Sequence, residues 1–272
     1  MKKLLKIVLV LVLAVVVSAC GGNNEKKENV LKVSATLDPH SKILEEAGKI
    51  LEADYGITLD VEVLDDYFIF NKALDAGEVD ANFFQHLPFF DGEVAEHGYE
   101  ITNAGGIHLE PFGFYSKTVK SVEELKDGAQ VVISNSVADH GRILAILADN
   151  GLITLKEGVD ELTATEADIA TNPKGLKFVE VKPELLVTAY NNGEGDLVAI
   201  NGNYAIQGGL NPVKDSVILE SASQDNPYVN IVAVKTGTEN DEKIKALVEV
   251  LKSDEITTFI NNKYKGSVIV AE

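Results

Sequence analysis

The chain has no tryptophan, one cysteine, one methionine and, against a large excess of lysine, one arginine, Arg142. A lone cysteine excludes a disulfide framework and a cysteine-based metal site. Basic side chains are too few to offset the acidic ones, and the formal net charge is −19. A surface of that sign repels phosphate backbones and anionic headgroups, which excludes nucleic acid as a partner and attachment to a membrane by surface charge. There is no nucleophile elbow, phosphate loop or dinucleotide fingerprint, and Gly208-Gly209 stands without the other glycines such a loop needs. No catalytic set emerges. The chain is therefore expected to be neither an enzyme nor the holder of a cofactor.

What is present begins with an address. Met1-Lys2-Lys3 and Lys6 form a basic start, and Ile7 to Val17 is an apolar run too short to span a bilayer. Val17-Ser18-Ala19-Cys20-Gly21 places small residues before the cysteine and resembles the lipobox of bacterial lipoproteins. That resemblance implies a signal peptide over residues 1–19 and a lipid on Cys20, anchoring the chain to the outer face of the cell membrane. Residues 20–29 are polar and read as a disordered tether. Loss of Lys2, Lys3 and Lys6 with the signal peptide leaves the mature chain more acidic still.

From Val30 onward apolar alternation and helical spacing take turns. Val30 to Ala35 and Ile57 to Leu64 read as strands, and Ile43, Leu44, Ala47, Ile50 and Leu51 form one helical face between them. This is a βαβ unit, so a parallel pair is expected. Further strands are read at 79–84, 129–133, 176–181, 196–200 and 228–234. Helices are read at 71–76, after Pro88, at 121–124 from a Ser121…Glu124 capping box, after Arg142, near 167–170, after Pro183, and at 241–251 and 254–264. The fold class is α/β. Breaker-rich crossings near 111–116 and 225–230 divide it into two lobes, residues 30–113 plus 229–272 and residues 114–228.

Arg142 follows an apolar strand and opens an apolar helix, so it is expected in that helix's first turn. Helix N-termini after strands are where open α/β sheets hold anions. The guanidinium fork suits a carboxylate in a way lysine cannot copy. Tyr67, Phe68, Phe70, Phe83, Phe84, Phe89 and Phe90 cluster between 67 and 90. Core packing accounts for at least half of them, and the rest could line an apolar pocket with Tyr67 or His86 as its polar handle. Asn201 and Asn203 follow a strand and Asn230 lies inside one, where asparagine is poor. They either cap turns or hydrogen-bond a small polar ligand. His108 and Glu110 share a face of an extended stretch. They could ligate a metal, but zinc-like spacing is missing, so hydrogen bonding is expected and no metal site.

Asp80-Ala81-Asn82-Phe83-Phe84-Gln85-His86, Ile200-Asn201-Gly202-Asn203-Tyr204-Ala205, and Ser253-Asp254-Glu255 with Tyr264-Lys265-Gly266 closely resemble the MetQ/NlpA family, methionine-binding lipoproteins of ABC importers. The resemblance runs over nearly all of residues 30–272. It implies a periplasmic-binding-protein-like fold, two α/β lobes closing on one amino acid. It implies ligand contacts at Tyr67, Phe84, His86, Phe89, Arg142, Asn201 and Asn230. Arg142 would take the α-carboxylate, the two asparagines the backbone end, and the four rings the side chain, since aromatics suit a thioether. It also implies a permease partner in the membrane. The sequence departs from the family pattern at Phe83 and Phe89, where tyrosine is usual, at Asn135-Ser136-Val137 in place of Asn-Asp-Pro, and over Leu185 to Asn192. Methionine, L- or D-, is the implied ligand. Another apolar amino acid or a methionine-containing dipeptide remains open beside it, as does a surface adhesin of a different class.

Overall fold

The computed structural model describes residues 29–221 and 226–271. The expected signal peptide, Cys20 and nearly all of the expected tether lie outside those residues. β1 (Val30–Ala35) buries Leu31, Val33 and Ala35 on the inner side of the first sheet. α1 (His40–Ile50) lays Ile43, Leu44 and Ala47 against it. The helix ends in one wider turn, Leu51–Tyr55, stopped by Gly56 at φ 63°, a left-handed value that glycine adopts without a Cβ clash. β2 (Thr58–Val63) pairs parallel with β1, the βαβ unit expected from the pattern. α2 (Tyr67–Asp75) starts earlier than the helix expected at Asn71, because Asp66 caps it by accepting from Phe68 N at 3.0 Å. β3 (Ala81–His86) runs parallel to β1, and α3 (Leu87–His97) follows with Pro88 in its first turn. β4 (Ile101–Leu109) completes this part.

The chain then crosses over Glu110–Phe112 into a second sheet. Its elements are β5 (Gly113–Tyr115), β6 (Gln130–Ser134), α4 (Val137–Asp149), the small pair β7 (Thr154–Leu155) and β8 (Ile169–Thr171), β9 (Lys177–Val181), α5 (Leu186–Asn192), β10 (Leu197–Ile200), α6 (Gly202–Gln207), α7 (Pro212–Asp215) and β11 (Ile218–Leu219). The sheet order is β11-β5-β10-β6-β9, with β10, β6 and β9 parallel and β5 and β11 antiparallel to their neighbours. Three expectations are corrected here. Ser121 makes no cap, and Val122–Glu124 is a single 3₁₀ turn in which Glu124 accepts from Lys120 N at 2.9 Å. The helix expected near 167–170 is one turn, Glu166–Asp168, closed by a reciprocal Thr165–Asp168 cap; the chain then extends because β8 has β7 to pair with. Arg142 lies in the second turn of α4, not the first, because Val137 already begins the helix directly after Ser136.

After β11 the chain returns to the first sheet by a second crossing, and Val229 opens the next strand there. There β12 (Val229–Lys235) inserts antiparallel between β3 and β4, α8 (Glu242–Leu251) and α9 (Asp254–Tyr264) pack on the sheet, and β13 (Ile269–Val270) joins its edge. The order is β13-β4-β12-β3-β1-β2. Each sheet has its own apolar core: Val33, Phe83, Val232 and Leu247 belong to the first, Phe114, Val131, Leu147 and Ala199 to the second. A third cluster joins Tyr67, Phe84 and Phe89 to Tyr115, Val198 and Ile200 of the other sheet.

Gly141 inside α4 is where the helix touches the 161–162 backbone. A Cβ there would sit 2.1 Å from Glu161 O and 2.9 Å from Leu162 O. Gly141→Ala should therefore lower the thermal unfolding midpoint, by an amount equivalent to about 1–3 kcal/mol or more. Gly92 in α3 would meet nothing within 4 Å. Gly92→Ala should raise stability by about 0.5–1 kcal/mol through helix propensity. Calorimetric scans of the two variants beside the wild type check both signs.

Candidate functional site

β3 and β10 end with their carboxyl edges facing one another across the seam between the sheets. β3 delivers Phe84 and His86, β10 leads into Asn201, β12 contributes Asn230, α2 offers Tyr67 from its first residue, and α4 presents Asp139 and Arg142 one turn apart. All seven residues expected from the sequence line one cavity.

One end is aromatic. The rings of Tyr67, Phe84 and Phe89 stand 5.9 Å from one another, centroid to centroid, and Phe84 stacks on Phe70 at 4.0 Å. Tyr67 OH donates to Asn203 Oδ1 at 2.5 Å, so its burial leaves no orphan hydroxyl. His86 Nδ1 accepts from Phe89 N at 3.2 Å, capping α3, which puts the ring proton on Nε2, 3.4 Å from Asp139 Oδ1. Phe83 points away into the first sheet's core, edge-on to His40. Phe68 is half-exposed and outside the cavity.

The other end is ionic. Arg142 is buried, and its Nε donates to Glu220 Oε1 at 2.8 Å while Nη2 donates to Glu220 Oε2 at 2.5 Å and to Glu110 O at 2.9 Å. Its plane lies over Tyr228, 4.3 Å from the ring centroid. Burial pushes the Glu220 carboxyl up, but the Arg142 charge and hydrogen bond outweigh it and hold it below the usual range. One side of the fork is thus taken, and Nη1 has no hydrogen-bond partner among the described residues.

Behind this end lies a buried network. His40 Nε2 donates to Asn230 Oδ1 at 3.0 Å while His40 Nδ1 accepts from Thr36 Oγ1 at 2.7 Å, which leaves the Asn230 amide nitrogen as the free donor. His108 Nε2 donates to Glu110 Oε1 at 2.8 Å. Donor atoms of His40, His108 and Glu110 all lie within 4.8 Å of one another. Both nitrogens of His40 are committed to hydrogen bonds, so the trio reads as a hydrogen-bonded support. Burial pushes His40 down to about 4 against the pull of Glu110, and pushes His108 down to about 3. Burial raises the Glu110 carboxyl, partly opposed by His40 and Arg142.

Sequence reasoning missed Asp139, Glu220 and the lining role of Glu110, Gln85 and Gly202. Asp139 was detectable as the residue three before Arg142 on the same helix face. Gly202 fits because a Cβ would meet Glu110 Cβ at 2.6 Å. Glu220 comes from a distant segment, and nothing local announces it.

The model of the NlpA lipoprotein family matches residues 31–271. The chain is 52% identical to the methionine-binding lipoprotein MetQ of Bacillus subtilis (strain 168), over 99% of this chain and 98% of that one. It is 35% identical to the D-methionine-binding lipoprotein MetQ of Escherichia coli (strain K12), over 91% and 90%. Among solved structures it superimposes on a nutrient binding protein from Burkholderia cenocepacia bound to methionine, with a TM-score of 0.84 and 36% identity, covering 89% of this chain and 100% of that one.

The buried histidines set a pH dependence. The free side chain titrates near 6.5, and both are held well below it in the fold. Between pH 6.5 and about 4 for His40, or about 3 for His108, the unfolded chain therefore binds more protons than the folded one. Their contribution to stability is complete above that window and is lost as pH falls through it. The raised Glu110 works in the opposite sense. His108→Gln removes one histidine from the balance, so its urea midpoint should fall less steeply than that of the wild type as pH is lowered from 7 to 4. Parallel curves would contradict this assignment.

Proposed function

This chain belongs to the NlpA lipoprotein family, and on that premise we propose that it is an extracytoplasmic binding protein that captures methionine between its lobes and delivers it to an ABC importer. The observation that carries the reading is the two-ended cavity: an aromatic wall at one end, a buried guanidinium with an uncommitted nitrogen at the other. In this reading the thioether packs among Tyr67, Phe84 and Phe89, where a polarizable sulfur gains from ring contact. His86 closes the side-chain pocket. The α-carboxylate takes the open end of Arg142, and Asn201 and Asn230 hold the backbone end. The relatives support the ligand class, since they are named for methionine or D-methionine binding.

The proposed working parts are residues 30–113 with 229–272 as one lobe and 114–228 as the other, hinged at the two crossings. A ligand touching both lobes favours the closed form by its differential affinity. Cys20 is the proposed lipid attachment point, holding the binding body beside the membrane permease that hydrolyses ATP.

A thermal-shift screen of the twenty amino acids, D-methionine and methionine-containing dipeptides tests the ligand, because only a compound that binds the folded chain raises its melting point. Methionine is expected to give the largest shift. Arg142→Ala should weaken methionine binding on the order of 30-fold or more, equivalent to about 2–5 kcal/mol for an acid group left without its partner. Arg142→Lys should not restore it, because an ammonium cannot hold Glu220 side-on and offer a second nitrogen. Unchanged affinity of Arg142→Ala in calorimetry would reject the role.

A further inference from the structure

We propose that the buried amides of Asn71, Asn82 and Gln85 are positioning residues: they hold a bulge in β3 that aims Phe84 into the cavity, and so fix the length of side chain the aromatic end accepts. The inference rests on the reading that a thioether packs among the rings, and it adds residues that act behind those rings.

β12 pairs Ile231 with Gln85 and then Val232 with Phe83, so the register passes over Phe84. β3 thus carries one extra residue, the mark of a β-bulge, and bulges beside binding sites re-aim side chains. In a regular strand Asn82 and Gln85 would face opposite ways, because alternate residues share a side. Here both meet Asn71 of α2. Gln85 Nε2 donates to Asn82 Oδ1 at 3.0 Å and to Asn71 Oδ1 at 2.7 Å. Asn71 Nδ2 donates back to Gln85 Oε1 at 2.9 Å, and Asn82 Nδ2 donates to Asn71 Oδ1 at 2.9 Å. Asn71 and Asn82 are fully buried and Gln85 nearly so. Within the group every amide oxygen accepts and every amide nitrogen donates. A buried network satisfied in this way specifies one geometry. A β3 without the bulge would turn Gln85 to the side of Phe83, into the apolar core with Val33 and Val232, where its amide would lose these partners at a cost. The amides therefore favour the bulged register over the regular one.

The same amides fix the helix that carries the other rings. Asn71 lies one turn after Tyr67 on the buried face of α2 and directly follows Phe70. Phe70 stacks on Phe84 at 4.0 Å with the planes 9° apart, and Tyr67 stands 5.9 Å from Phe84. Stacked rings tolerate an offset, so ring contact alone leaves α2 free to slide along β3. Hydrogen bonds are directional, and the reciprocal Asn71–Gln85 pair removes that freedom. Gln85 borders the cavity, while Asn71 and Asn82 stand behind it. A wall held in one place rejects a side chain that is one methylene too long, whereas a wall that can shift accommodates it.

The test is isothermal titration of the mature protein at neutral pH with methionine and with ethionine, whose S-ethyl group is one methylene longer. The wild type should bind ethionine about 10-fold more weakly or worse, the usual cost of an extra methylene in a fixed apolar pocket. Asn71→Leu keeps the bulk and loses the amide bonds, and its ratio should fall below about threefold. Leu247→Ala, in the first sheet's core away from the rings, loses stability alone and should keep the wild-type ratio. Asn82→Ala leaves the Asn71–Gln85 pair in place; it should narrow the ratio at least about twofold, and it decides in the same way should Asn71→Leu fold poorly. Three results overturn the proposal while leaving methionine as the ligand: a wild type that binds the two compounds within about threefold of each other, an amide variant that keeps the wild-type ratio, or a Leu247→Ala protein whose ratio narrows as far as that of Asn71→Leu. A wild type that binds neither compound overturns the methionine reading and the proposal together.

Discussion

The guanidinium of Arg142 ties together three stretches that chain order keeps far apart. From α4 it reaches the carbonyl of Glu110 in the first crossing and the carboxylate of Glu220 in the second. Glu220 in turn accepts from Phe112 N at 3.0 Å and donates its own backbone N–H to Phe112 O at 2.9 Å. A single side chain therefore fastens both connections between the lobes to the helix that borders the cavity. Such a buried pair contributes more to a unique geometry than to net stability, because desolvating two charges offsets most of their attraction. Lysine could supply the charge, but not the donors on two sides of a plane.

The rest of the site is arranged so that this charge is neither alone nor neutralised away. Glu220 holds one side, Tyr228 covers a face, and Asp139 stands one turn up the same helix. Farther in, His40 and His108 stay neutral because burial makes their charged forms costly, and they act as oriented donors to Asn230 and Glu110. The aromatic end needs no such support. Its rings pack edge-to-face and stack within a cluster drawn from both sheets, so the apolar wall is also part of what joins the lobes.

Much of this was legible before any coordinates. Alternation at Val30–Ala35 and the helical spacing from Ile43 gave the first parallel pair because both are local periodicities set by burial on one side. The cluster from Tyr67 to Phe90 and the lone Arg142 marked two ends of one cavity because residue type carried the chemistry. What stayed hidden depended on distance in the chain. Glu220 meets Arg142 only through the second crossing. Phe83 and Phe84 are neighbours that face opposite sides of β3, and only sheet packing decides which of them the cavity sees. The one-turn displacement of Arg142 followed from a helix that starts without a breaker, where sequence marks the boundary least clearly.

β12 lies between β3 and β4 in the first sheet, yet the whole second sheet separates it from them in sequence. During synthesis, all five strands of the second sheet are available before residue 229 emerges, so that lobe can close on itself early. The first lobe cannot, since β3 and β4 must wait with bare hydrogen-bonding edges for a strand still to come. Unpaired edges of that kind invite association with other chains. The order in which the polypeptide appears thus leaves the half that carries Phe84 and His86 open longest, and its maturation depends on the segment from Val229 onward.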